Sequence, residues 1–289
     1  MSIAEATKPR PRKAFDLGSA GTIAFRAYCL LVLAFLIAPL LVIVPLSFNA
    51  EPYFTFTQSM LQLDPTGWSY RWYEELRNNP QWLESVKNSF IVAVFSTLIA
   101  TVLGTFAAIG LTRPNMPYRG LIMALALSPM IVPVIIVAAG MSFVYGGWGL
   151  KQTHLGLILA HATLGIPFVV VTMTATLSTF DRRLSQAAQG LGATPIQSFF
   201  EVTFPLIMPG LAAGALFAFA TSFDELVTVL FLGGPDQVTI PRQMWSGIRE
   251  QISPAILAAA TLLICVAATL LILVQLAQNQ QKSYGGMKS

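Results

Sequence analysis

The chain has 289 residues, 55% of them hydrophobic and only 10% charged, with a net charge of +4. Soluble domains average about 25% charged residues, so this composition excludes an ordinary soluble fold and predicts a membrane protein. The basic residues are scattered among loops rather than clustered, which argues against a nucleic-acid partner and for charge that sets membrane topology.

Residues 1–24 carry Lys8, Arg10, Arg12 and Lys13 and read as a disordered, basic cytoplasmic tail. The apolar run that follows, 27–48, is longer than the roughly 7–15 residues of a signal core and ends at the bulky Phe48. It is expected to be an uncleaved first membrane helix, within 25–48. A bilayer needs about 20 mostly apolar residues per helix. Five more runs meet that length, at 89–111, 121–144, 155–177, 211–232 and 255–276. The expectation is an all-α membrane protein with six transmembrane helices, a five-helix core over 89–277 and a short cytoplasmic tail at 278–289.

The longest outer segment, 49–88, holds Trp68, Tyr70, Trp72, Tyr73 and Trp82 with Glu74, Glu75 and Glu84 among them. It predicts an aromatic belt on a helix along the membrane surface, which could also touch an external partner. Pro129 and Pro133 interrupt the third run, where a bend would free carbonyls and border a cavity. Gly104, Gly110, Gly140 and Gly214 would permit close approach between helices. The fifth run contains Asp224 and Glu225, each costing about 2.5–3.5 kcal/mol at mid-membrane, so each should face a cavity or a partner. Either a polar translocation route or a structural pairing explains them. Asp224 is the better candidate for a structural hydrogen bond, and Glu225 suits either role.

Lysine and arginine set the orientation. With the N-terminus inside, eleven fall on the cytoplasmic side and six outside, so both termini are predicted inside. Cys29 and Cys265 lie in apolar runs and suit no disulfide framework. His154 and His161 have no cysteine or carboxylate at ligand spacing, so no metal site and no catalytic residue is assigned.

The segment 178–209, cytoplasmic in this orientation, is too polar to cross a bilayer. Leu184, Ala187, Ala188 and Leu191 recur at helical spacing as one apolar stripe, and Gly192 supplies a stop. Thr194, Pro195 and Gln197 read as N-cap, first-turn proline and capping-box partner of a second short helix. That helix carries Ile196, Phe199 and Phe200 on one face, and Pro205 is expected to end it.

Gln186, Ala187 and Ala188, then three residues, Gly192, nine residues, Val202, Phe204 and Pro205 resemble the EAA loop of ABC importer permeases. Those are the inner-membrane subunits of binding-protein-dependent importers, and their pattern is Glu-Ala-Ala, three residues, Gly, nine residues, Ile-x-Leu-Pro. The spacing matches throughout. Val202 and Phe204 are apolar replacements, whereas Gln186 stands where glutamate is usual. Ser222 to Glu225, Phe231 to Pro235 and Thr239 to Pro241 are similar to the spermidine/putrescine branch, second-permease type. Trp72 to Glu75 and Lys87 to Ser89 share that similarity.

The resemblance implies a type I importer permease (MetI-like) fold in a bacterial inner membrane, with a polyamine as first choice of solute. It also implies coupling through Gln186, Ala187, Ala188, Gly192 and Pro205, and a route near Asp224, Glu225 and Pro133. The implied partners are a cytoplasmic ABC ATPase dimer, a second related permease, a periplasmic solute-binding protein and membrane lipid. ATP and magnesium would be bound by the ATPase, since no phosphate-loop signature occurs here. Alternatives are an importer for another small organic solute such as an amino acid derivative, a secondary transporter, or an intramembrane hydrolase built on Ser142 and His161.

Overall fold

The computed structural model describes residues 19–250 and 253–286. The elements in order are α1 (Ser19–Leu46), α2 (Gln58–Leu61), α3 (Arg71–Asn78), α4 (Pro80–Leu111), α5 (Arg119–Ile131), α6 (Val134–Gly147) and α7 (His154–Thr179). They continue with α8 (Arg182–Gly190), α9 (Pro195–Ser198), α10 (Phe204–Phe223), α11 (Val227–Leu232), α12 (Ile240–Glu250) and α13 (Ala255–Gly286). Among the described residues the only isolated β pairing is the single bridge between Asn49 and Trp68.

Among the described residues five helical stretches are long and apolar enough to cross a membrane, or six if the bent pair α5–α6 counts as one. The expected tail lies outside the described residues up to 18, but 19–24 already belong to α1. At the other end α13 continues to Gly286, past the expected end of the last membrane segment. Almost all of α1 is uncovered by protein, Phe35 being 74% exposed. Such a surface belongs against lipid rather than water.

The core is the packing of α4, α7 and α10 on one another. A Cβ on Gly104 would meet the Val169 side chain at 2.7 Å, and one on Gly214 would meet the Thr172 hydroxyl at 2.5 Å. Small residues therefore let these helices touch backbone to backbone, the way apolar helices associate in lipid. Gly110 and Gly140, grouped with them from sequence, face open space instead.

The third apolar run is broken outright. Helices α5 and α6, 13 and 14 residues long, are bent by 102° relative to one another. Pro129 has no amide to give the Leu125 carbonyl, and the Ser128 hydroxyl takes that acceptor at 2.8 Å instead. Pro133 cannot continue the ladder, and Val132 before it is held extended at ψ 135°.

Outside the membrane core, the expected belt divides. Tyr70 is exposed, but Trp72 and Trp82 are buried with Leu76, Phe223, Ile240, Ala255 and Ala259. Trp72 and Leu76 are one turn apart on α3, so one face of this short helix clamps α4, α12 and α13 together. The Trp72 indole donates to the Asn49 carbonyl at 2.7 Å. Aromatics this large contribute most as core anchors once the indole N–H has a partner.

Candidate functional site

The elbow forms as two capped helices. Asp181 accepts the Arg183 amide at 2.9 Å and caps α8 at its start. At its end Gly192 sits at φ +98°, its amide donates to Gln189, and Ala193 donates to Ala188, a Schellman closure. Thr194 and Gln197 then exchange both capping-box hydrogen bonds, at 3.2 and 2.9 Å, with Pro195 in the first turn of α9.

Pro205 does not end the second helix. Phe199–Thr203 widens into a π turn in which the Phe204 amide reaches back five residues to Phe199. The extra residue absorbs the proline, and 195–223 runs on as one membrane-length helix. The fifth span accordingly enters earlier than expected and stops at Phe223 rather than residue 232.

The apolar stripe of α8 is largely uncovered by the described residues. Leu184 is exposed, Leu191 is 91% exposed, and Ile196 on α9 is 71% exposed. Ala187 is exposed beside them and Ala188 half-buried. Gln186 lies on the other side of the helix, where it lines a cleft of about 370 Å³ with Arg113, Phe180, Arg182 and Gln189. The Arg182 guanidinium donates to the Thr112 carbonyl there and ties α8 to the end of α4.

Asp224 and Glu225 are not in mid-helix. They occupy a break between α10 and α11, with Asp224 as the C-terminal cap residue of α10. A charge in lipid is costly, so both acids need a partner or a cavity beside them rather than open hydrocarbon. Glu225, not Asp224, makes the structural bond: its carboxylate accepts the Thr228 amide at 2.8 Å. Asp224 is exposed and borders a groove of about 350 Å³ with Phe219, Phe223, Leu263 and Leu270. Pro133 sits at the other break, as the residue before α6.

Sequence reading missed a buried polar chain across this region. His161 of α7 lies 2.8 Å from the Ser222 hydroxyl and 3.1 Å from that of Thr228, and Ser96 of α4 lies 2.9 Å from Ser222. Single polar residues in apolar runs were the available signal. His161 and Ser142 do not pair, because Ser142 donates to the Phe231 carbonyl at 3.3 Å. The imagined hydrolase pair is therefore absent. On the outer face, Asn88 donates to the carbonyls of Asp236 and Val238 at 2.9 and 3.0 Å and meets His154 at 2.9 Å. The loop after α11 is thereby fastened to α4 and α7.

Residues 100–282 match the binding-protein-dependent transport system inner membrane component family. The chain belongs to that family. The permease is 34% identical over 243 residues to the putrescine transport system permease protein PotI of Escherichia coli K12, covering 81% of this chain and 83% of that one. It is 30% identical over 256 residues to the spermidine/putrescine permease PotC of the same organism, covering 88% and 94%. In fold it is similar to a chain of a bacterial ABC transporter that imports alginate, with TM-score 0.64, 15% identity, and 91% and 98% of the two chains covered. The permease is therefore a multi-pass inner-membrane subunit of an ABC importer, with no catalysis of its own. Membership of a binding-protein-dependent family implies a separate solute-binding protein as partner.

Proposed function

We propose that this permease carries a polyamine, spermidine or putrescine, from periplasm to cytoplasm. The observation that supports it most is similarity to two polyamine permeases over more than four-fifths of the chain. Two adjacent carboxyl groups at the α10–α11 break suit a cationic solute, Asp224 exposed to a groove and Glu225 fixed beside it. Pro133, at the break in the third span, belongs to the same route.

Coupling runs through the elbow. The stripe of Leu184, Ala187, Ala188 and Leu191 docks in a groove on a cytoplasmic ABC ATPase, one helix face per groove. Gly192 sets the angle between the two helices, and the π turn before Pro205 passes the movement into α10. Gln186 supports α8 from the cleft side. Both termini lie in the cytoplasm, a second related permease completes the pore, and the binding protein meets the outer face around the loop after α11. ATP and magnesium are held by the ATPase.

The test is reconstitution of the permease with its partner permease and ATPase in proteoliposomes, followed by ATP-driven uptake of labelled solutes. Putrescine or spermidine, delivered by the binding protein, should raise ATP hydrolysis and accumulate inside. Basal hydrolysis with polyamines, alongside stimulation by sulfate or an amino acid derivative, overturns the choice of solute.

A further inference from the structure

Ser222 is the penultimate residue of α10 and Thr228 the second residue of α11, so the acid turn lies between them. Neither flank is bonded to the other directly. A single imidazole from a third helix joins them: His161 is 1% exposed, with Nδ1 toward the Ser222 hydroxyl and Nε2 toward that of Thr228. In either neutral tautomer one ring nitrogen donates and the other accepts, and each faces a hydroxyl able to do the complementary part. Thr228 then has two tasks. Its hydroxyl is held by His161, and its amide holds the Glu225 carboxylate.

We infer that His161 is the positioning residue of the acid turn, fixing Glu225 through Thr228 and tying the turn to the helix that carries the coupling elbow. From His161, helix α7 continues to its end at Thr179, and α8 begins three residues later. A displacement of α8 by the ATPase thus reaches the carboxylates along one continuous helix, which carries Pro167 on the way, and across one ring. Helix α4 joins the same point through Ser96 and Ser222. Thr228 and His161 are both fully buried, so protein rather than solvent completes these bonds. The inference rests on the permease reading and adds to it which side chain connects solute route to drive.

The test uses the assembled transporter and measures ATP hydrolysed per polyamine imported, on complexes first shown to be intact by size exclusion. His161→Leu keeps the bulk but loses both bonds, and Thr228→Val loses one oxygen. Each should raise the ratio on the order of tenfold, as a broken coupling between sites does. Thr228→Ser, which retains the hydroxyl, should recover most of the wild-type ratio. The His161→Leu/Thr228→Val double variant should be no worse than either single, because one chain of bonds is cut. A wild-type ratio in Thr228→Val overturns the inference even where His161→Leu fails to assemble. Additive losses in the double variant overturn it as well. Lack of ATP-driven uptake by the unmodified complex would instead refute the importer reading on which it depends.

Discussion

Ser185 and Ser198 close on each other across the elbow. Their hydroxyls are 2.6 Å apart, and the Ser198 hydroxyl also reaches the Ser185 carbonyl at 3.0 Å. Ser198 is buried and Ser185 half-buried, so water competes little for this side-chain link between α8 and α9. Ser198→Ala should leave the Ser185 groups short of a partner, at a cost of about 1–3 kcal/mol. Amide exchange over 182–198 should accelerate roughly tenfold while α4 and α7 stay protected. Unchanged exchange would mean that the caps alone hold the elbow.

Gly192 carries the angle of the elbow through its backbone alone. At φ +98° a side chain is strained, yet a Cβ there would meet nothing within 4 Å. Gly192→Ala should therefore cost about 1–2 kcal/mol locally without a clash. Co-purification of the ATPase should weaken measurably with alanine and be lost with Gly192→Asp. Full ATPase recovery with both variants would remove Gly192 from the docking part.

Gln186 and Leu184 point to different sides of α8, the first into the arginine cleft and the second out of the chain. Gln186→Glu places a carboxylate near Arg113 and Arg182, where an exposed ion pair is worth only about 0–1 kcal/mol. ATPase affinity should stay within a few-fold of wild type or tighten slightly. Ala188→Asp, by contrast, puts a charge on the apolar stripe itself, at a half-buried position. It should abolish coupled uptake. An Ala188→Asp transporter with normal uptake would assign docking to another face.

Much of the elbow is legible in the sequence because its causes are local. A cap, a first-turn proline and a glycine stop each act within four residues, so Thr194, Pro195 and Gly192 can be placed without knowing the fold. Pro205 shows the limit: a proline forbids one hydrogen bond, and a π turn evades that at the expense of one residue. The burial of Trp72 and Trp82, read as a surface belt, depends on helices more than a hundred residues away. The His161 chain is likewise invisible, since Ser96, Ser222 and Thr228 are ordinary polar residues until four helices bring them together with His161. The acids were placed in mid-span because their run is apolar on both sides. The chain instead stops α10 at the first of them, so that Asp224 caps its end.

Pro133 is the remaining residue whose role the bend makes testable. Legs of eleven rises from Leu121 to Val132 and from Pro133 to Val144, bent by 102° from a straight line, give an end-to-end distance of about 21 Å. A straight helix over the same residues would measure about 35 Å. Leu121 and Val144 are both exposed and suit spin labels. Pro133→Ala restores an amide that can reach the Pro129 carbonyl and removes the ring that forces Val132 to be extended. Opposing this, α6 is held to α11 by the Ser142 hydroxyl on Phe231 and by Met141 and Tyr145, which pack on the cluster containing Val229 and Leu232. The bond contributes about 1 kcal/mol and the packing adds to it, a sum comparable with the roughly 3 kcal/mol that an interior proline costs a helix, so both conformations should be populated. The variant should therefore show a second population near 35 Å, with reduced polyamine uptake. A single distance still near 21 Å would show that tertiary packing, not the proline, imposes the bend.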